Sequence, residues 1–258
     1  MELTLLWSED FESQQSLNES HWNYDLGDGS AAGIPGWGNQ ERENYTTDSF
    51  TFSSGLDITA SRYLPELAPD VYYGKAEWKS GKIHTAGKIS FKFGRTEIRA
   101  KAPVGGGTWP AIWMLGDSLT TLGWPLCGEI DIFEGAGNRP FQLCGTLHGP
   151  GYSGDAGVGV AKEMPQHLSA DFHTYSIDWL PDQISWSVDG EIYSTLYRAD
   201  VAPGEAIWPF NENFYLILNL AMGGWFAGDV VDGFDSATFS IKSIKHFAID
   251  GVGEVRLN

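Results

Sequence analysis

Gln183-Ile-Ser-Trp-Ser-Val188, then Asp189-Gly190, then Glu191-Ile-Tyr-Ser-Thr-Leu-Tyr197 is the stretch that decides the fold class. Two runs rich in β-branched and aromatic residues flank an Asp-Gly dipeptide, which is the chemistry of a two-residue hairpin turn. The same pattern extends outward in both directions. Ile89-Ser90-Phe91-Lys92-Phe93 alternates apolar and polar, Gly94 interrupts it, and Thr96 to Ala102 continues extended. Phe214 to Leu220 is an apolar run, suited to a strand covered on both faces, and Ile241 to Ile249 reads as a last strand. No helical periodicity persists beyond about two turns, and turn-forming residues are spread along the chain rather than clustered. There is no internal repeat, no low-complexity segment and no linker. We therefore expect residues 1–258 to form a single all-β domain, two antiparallel sheets stacked as a sandwich or jelly roll. Pattern alone leaves a closed barrel open.

Composition narrows the partners. The 258 residues are 42% hydrophobic, which excludes a disordered chain, and 16 Lys+Arg against 34 Asp+Glu give a net charge of −18. Such a charge repels phosphate backbones and anionic lipid, so nucleic acid and membrane are excluded as partners. Sulfated polymers are disfavoured for the same reason, and a neutral partner is favoured. The apolar run Leu3 to Trp7 is too short for a signal peptide, and nothing approaches the ~18 apolar residues of a membrane span. We expect a secreted, monomeric protein whose signal segment is absent from this chain.

Gly128-Glu129-Ile130-Asp131-Ile132-Phe133-Glu134 sets three acids among strand-forming Ile, Ile and Phe. In a regular strand Glu129, Asp131 and Phe133 share one face, while Glu134 points to the other. Strict alternation would place Phe133 among the acids or Glu134 in the core. One extra residue near Ile132 or Phe133, a β-bulge, returns Glu134 to the acidic face. Three carboxyls so close perturb one another's proton affinity. A carboxylate beside a carboxylic acid is what glycosidic bond cleavage requires. Neighbours on one strand leave little room for an intervening water, which points to retention of configuration. The alternatives are a calcium site, which normally draws on Gly- and Asn-rich loops, or a solvated acidic edge, which rarely carries Ile, Ile and Phe in between.

Glu129-Ile-Asp131-Ile-Phe-Glu134 resembles the Glu-x-Asp-x-x-Glu signature of glycoside hydrolase family 16, in its laminarinase-type branch. Gly36-Trp-Gly-Asn-Gln-Glu41 with Tyr45-Thr46, Trp109-Pro-Ala-Ile-Trp113-Met-Leu-Gly116, and Gly145-Thr-Leu-His148 through Gly154 are similar to further motifs of that family, in the same order. So are Gly87 to Arg99, Asp171 to Trp179 and Phe214 to Gly224. The resemblance implies a β-jelly-roll with an open concave cleft for polysaccharide. It also implies Glu129 as nucleophile, Glu134 as acid/base and Asp131 as the helper between them. The activity implied is a retaining endo-hydrolase of β-1,3-linked glucan of the laminarin type, needing no cofactor. A mixed-linkage β-1,3-1,4-glucanase stands as the alternative, and a non-catalytic glucan-binding sandwich as a more distant one, since proteins of that kind lose the acids.

Trp presents a flat apolar face and one N–H donor, which suits a sugar ring. Trp109 and Trp113 are four apart, hence on one face of an extended segment, and the motif match places both near the scissile sugar. Trp225, after Gly223-Gly224, is expected to contact substrate as well, whereas Trp179 and Trp186 sit within strand patterns and read as core. Asn39, in a Gly/Trp loop, matches the family's sugar-contacting asparagine, with Glu41 carried at lower weight. A simple hairpin register puts His148 close to Cys127 and Glu129, and Cys144 opposite Asp131 or Ile132, too far from Cys127 for a bridge. Both thiols are therefore expected free. Two positions depart from the resemblance. Lys82 stands where the family has Arg, losing the planar two-pronged donor. Lys242 stands where it often has a calcium-binding Asp, so a structural calcium at Glu9 and Asp10 is doubted, and no metal site is assigned.

Overall fold

The computed structural model describes residues 1–258. Two large sheets enclose one core of 40 buried residues, and helical segments are no longer than four residues. The sheet that carries the acids runs Val158–Glu163, Gln142–His148, Glu129–Gly135, Thr108–Gly116 and Phe214–Met222. Phe214–Met222 then pairs on its far side with both Ile89–Lys92 and Lys82–His84, the latter extended by Asn23–Asp25. The opposite sheet runs Glu191–Tyr197, Gln183–Val188, His173–Leu180, Gly94–Lys101, Ser236–Ile249, Leu56–Arg62, Trp78–Ser80 and Glu43–Tyr45. Only the last pairing is parallel. Both sheets end in free edges rather than closing on themselves, so the molecule is a jelly-roll sandwich and not a barrel.

The hairpin lies where its sequence puts it, with Asp189 at φ 51° and Gly190 at φ 81° between the two strands. Phe93 and Gly94, at φ 57° and 89°, turn a corner that carries the chain from the acid-bearing sheet into the opposite one. The apolar run Phe214 to Leu220 forms the strand Phe214–Met222, buried at all nine positions. The strand read as Ile241 to Ile249 starts earlier, at Ser236, and it is not the last. Glu254–Leu257 follows and pairs with Ile89–Lys92. That segment lacks the apolar content of a covered strand, because it lies at an edge and is mostly exposed.

Trp179 and Trp186 are fully buried, as their strand positions imply. Trp179 packs edge-on against Phe214 at 5.3 Å, and Phe133 stacks on Tyr175 at 4.0 Å, so aromatic pairs join the two sheets. Fully burying an aromatic of this size contributes on the order of 2–3 kcal/mol, which holds the acid-bearing sheet at a fixed depth above its partner.

Candidate active site

The acid strand is irregular at one place. Ala111 and Ile112 pair with Glu134 and Phe133, but Trp113 pairs with Asp131, leaving Ile132 as the extra residue. The same irregularity falls between Asp131 and Glu134 against the other neighbour. Ile132 and Phe133 both turn into the core, and Glu134 returns to the face of Glu129 and Asp131. The bulge is fastened from beneath: Trp186 Nε1, from the opposite sheet, donates to the backbone oxygen of Asp131 at 2.8 Å. Gly145 lies beside the bulge, and a Cβ there would stand 2.3 Å from the Trp186 ring, so a side chain at that position would displace the indole.

Register then builds the rest of the site. One cross-strand row reads Cys144, Glu134, Ala111, Asn219, Lys82, Asp25, and the next reads Thr146, Asp131, Trp113, Ile217, His84, Asn23. His148 stands directly opposite Glu129, as the hairpin register implies. Its Nε2 lies 3.3 Å from Asp131 Oδ2 and 3.9 Å from Glu129 Oε1. Cys144 faces Glu134 rather than Asp131 or Ile132. The acid strand runs on to Gly135 and holds the extra bulge residue, which carries the pairing further along than a simple hairpin allows. Cys127 and Cys144 are both free.

Each flanking acid has its own tryptophan. Trp109 Nε1 donates to Glu134 Oε1 at 3.0 Å, and Trp124 Nε1 donates to Glu129 Oε2 at 2.7 Å. Trp109 is held by stacking on Phe226 at 5.1 Å, with the Arg139 guanidinium 4.6 Å over that same ring. Burial pushes the Glu134 carboxyl up to about 8, and the nearby charge of Asp131 adds to it. Burial pushes Asp131 up to about 7, although its hydrogen bond with Glu129 pulls it down. Glu129 is raised by burial first and Asp131 second, while His148 and the Trp124 N–H pull it back. Burial, with mutual repulsion adding at Glu129 and Glu134, thus raises the proton affinity of all three acids, and the site carries fewer charges than acids near neutral pH.

The remaining sequence candidates fall into two groups. Trp113, Lys82 and Asn39 join the acids' neighbourhood. Trp113 Nε1 donates to Asn219 Oδ1 at 2.7 Å. The buried Lys82 ammonium sits 3.4 Å from Asp25, 4.1 Å over the Trp37 ring and 5.3 Å from that of Trp113. Asn39 Nδ2 donates to Glu41 Oε1 at 3.0 Å. Trp225 stands apart, its ring 70% exposed and its backbone N–H donating to the Asn39 oxygen at 2.9 Å. It edges the site rather than touching the acids.

Sequence reasoning passed over Asn219, placed Trp37 and Tyr45 only within a motif, and gave Trp124 no role beyond its nearness to the acid strand. Asn219 had a readable signal, since it is the one polar residue in the strand FYLILNLAM. Trp124 had a weak one, lying five residues before Glu129, but only the folded loop brings its N–H to the carboxylate. At the calcium position Lys242 Nζ lies 2.5 Å from Glu12 Oε1. Glu9 accepts hydrogen bonds from His21, Trp22 and Gln14. An ammonium group and a carboxylate already taken up by three donors do not fit a divalent cation there.

Comparison with known proteins agrees with this geometry. Residues 38–241 match the pattern described as Glycosyl hydrolases family 16. The chain is 38% identical over 253 residues to a protein of Rhodothermus marinus named beta-glucanase, covering 94% of this chain and 83% of that one. It is 36% identical to a glucan endo-1,3-beta-glucosidase of Cryptopygus antarcticus, covering 93% of this chain and 90% of that one. The crystal structure of the laminarinase catalytic domain of Thermotoga maritima superposes with a TM-score of 0.91 at 39% identity, covering 96% and 99% of the two chains. With a family pattern across most of its length and a matching fold around the acids, this chain belongs to glycosyl hydrolase family 16 and is a glycoside hydrolase.

Proposed function

We propose that the protein is a retaining endo-hydrolase of β-1,3-glucosidic linkages in neutral, laminarin-like glucans. Glu129 is the nucleophile, Glu134 the acid/base and Asp131 the residue that orients Glu129. The observation that carries this reading is the bulge, which puts three acids on one face and gives each flanking acid a separate tryptophan donor. In the first step the Glu129 carboxylate attacks the anomeric carbon while Glu134 gives its proton to the departing glycosidic oxygen. Before this attack any proton held between Glu129 and Asp131 passes to Asp131, so that Glu129 reacts as a carboxylate oriented by its neighbour. In the second step Glu134, now a carboxylate, takes a proton from water. That water attacks the anomeric carbon and releases Glu129.

The names of the relatives support β-1,3-glucan as substrate. The −18 charge supports a neutral polymer, because sulfate groups on the chain would be repelled. Asn39, Lys82, Trp109, Trp113, His148 and Trp225 are the substrate-facing residues of this proposal. A single catalytic domain that acts as a secreted monomer, with no structural calcium, completes it. A product profile on laminarin, lichenan and curdlan tests the substrate, and proton NMR of the first product tests retention. New reducing ends of β configuration from laminarin are expected. Hydrolysis of lichenan with laminarin untouched would overturn the substrate, and initial α product would overturn the retaining mechanism.

A further inference from the structure

Behind Asn39 lies a second pair of acids that the mechanism does not use. Glu41 and Glu43 are both buried, 6% and 1% exposed, at the start of the Glu43–Tyr45 strand. The polarity of every contact around Glu41 is fixed by which groups can donate. Its Oε1 accepts from Asn39 Nδ2, and its Oε2 accepts from the Tyr45 hydroxyl at 3.1 Å. Tyr45 in turn accepts from Asn219 Nδ2 at 3.2 Å, and Asn219 Oδ1 accepts from Trp113. A directed run of hydrogen bonds thus leads from Trp113 on the sheet floor to Glu41, on which the Asn39 amide converges from the loop. Because Glu41 as a carboxylate can only accept, the Asn39 amide must turn its NH2 toward it, leaving the Asn39 carbonyl oxygen without a protein partner.

Glu43 completes the arrangement. Its Oε2 accepts the Met222 N–H at 2.7 Å, while its Oε1 is buried with no donor to satisfy it. A buried carboxyl oxygen without a donor is satisfied by carrying the proton itself and donating it to an acceptor nearby, and the other polar hydrogens around Glu41 are already committed. No cation neutralises the pair. Arg42 is bound to Glu77 at 2.6 Å and lies over Tyr73, and Lys82 is paired with Asp25. The other titratable groups facing the pair are hydroxyls, Tyr45 on the same strand and Tyr72 and Tyr73 on the adjoining segment. Tyr72 donates to the Glu41 backbone oxygen and Tyr73 to that of Arg42.

We propose that Glu43 is a positioning residue, held as a neutral carboxylic acid that donates to the Glu41 carboxylate and so fixes the orientation of the Asn39 amide toward the sugar. This rests on the reading of Asn39 as a substrate contact. Burial raises Glu43 well above the ordinary carboxyl range, with the charge of Glu41 adding to it, in agreement with the geometry. When alkali removes that proton, two buried charges face each other, Glu41 moves, and Asn39 loses its anchor. The effect falls on substrate binding and not on the chemical step.

The test compares wild type, E43Q and N39A on laminarin from pH 5 to 9, with melting temperatures measured in parallel without substrate. Glutamine at 43 offers an NH2 to Glu41 and a carbonyl to Met222 N–H, reproducing both bonds with no proton to lose. At pH 6 E43Q should keep KM within about twofold of wild type, while N39A raises it about tenfold, the scale of one lost hydrogen bond. Toward pH 9 the wild-type KM should climb toward the N39A value while that of E43Q stays flat, and kcat should fall in parallel in both. The melting temperature of E43Q should gain on wild type as pH rises. A folded-state carboxyl raised above its unfolded value loses stability as pH climbs through that range. An E43Q KM as high as that of N39A at pH 6 would overturn the proposal, as would a wild-type KM and a melting difference both independent of pH. If wild type cleaves no β-glucan, the functional reading fails, and the melting comparison alone decides whether the pair holds a proton.

Discussion

Replacing Glu134 by Gln should abolish turnover and stabilise the protein, and the stabilisation should grow with pH. Glutamine keeps the oxygen that accepts the Trp109 N–H at 3.0 Å, so the packing around the residue survives. What disappears is a buried group whose folded value is about 8 against an ordinary 4.5. A group raised on folding contributes its full stability below the unfolded value and loses it as pH rises through the folded one. At pH 5 the deficit is about 1 kcal/mol, and at pH 7 it is about 3 kcal/mol, at 1.36 kcal/mol per pH unit. E134Q should therefore gain about 2 kcal/mol on wild type between pH 5 and pH 7. For a chain of this length that is about 4 °C of additional Tm difference, from the usual entropy of unfolding per residue. Differential scanning calorimetry at pH 5, 6 and 7 measures it, alongside initial rates on laminarin. A Tm difference that does not change with pH would refute the reasoning about the buried proton. Wild-type turnover in E134Q would refute the assignment of the acid.

The activity of the wild type should fall as pH rises through about 8, where Glu134 loses the proton it must give to the leaving group, and a pH–rate profile reads this directly. Trp124→Phe keeps an aromatic ring but removes the N–H donor 2.7 Å from Glu129. It should cost about ten- to a hundredfold in kcat/KM, the range for one hydrogen bond to a charged group, with Tm nearly unchanged because Trp124 is 46% exposed. Trp225→Ala should raise KM severalfold with kcat and Tm unaltered, since the ring is 70% exposed and far from the acids' hydrogen bonds. Gly145→Ala places a methyl 2.3 Å from Trp186, and it should cost about 1–3 kcal/mol in denaturant unfolding while lowering kcat through the displaced bulge. EDTA should leave both activity and Tm unchanged, since the Lys242 ammonium and the hydrogen-bonded Glu9 are poor ligands for a divalent cation.

Much of this molecule could be read from local rules. The Asp189-Gly190 hairpin, the buried run Phe214–Met222 and the core positions of Trp179 and Trp186 all follow from residue type and alternation. Even the bulge was legible, because Ile132, Phe133 and Glu134 cannot all be satisfied by a period of two. The relation of His148 to Glu129 followed from simple hairpin counting. The same counting failed for Cys144, since an extra residue on one strand shifts every pairing beyond it.

What the sequence could not convey is contact between segments far apart in the chain. The bond from Trp186 to Asp131 spans two sheets, and the network that joins Asn39, Glu41, Tyr45, Asn219 and Trp113 draws on three separate stretches. Glu254–Leu257 escaped notice because an exposed edge strand carries little hydrophobic pattern.

The sequence by itself determined that this protein is an all-β sandwich, that three acids interrupt one of its strands, and which residue types surround them. Side-chain period and turn chemistry are local properties, so one dimension suffices to record them. Only the tertiary structure decided how the protons are distributed. Burial depth, the donors Trp109 and Trp124, and the partnering of Glu43 with Glu41 are properties of the assembled sheets. They arise because charge is costly wherever water is excluded, and exclusion exists only after the strands have packed.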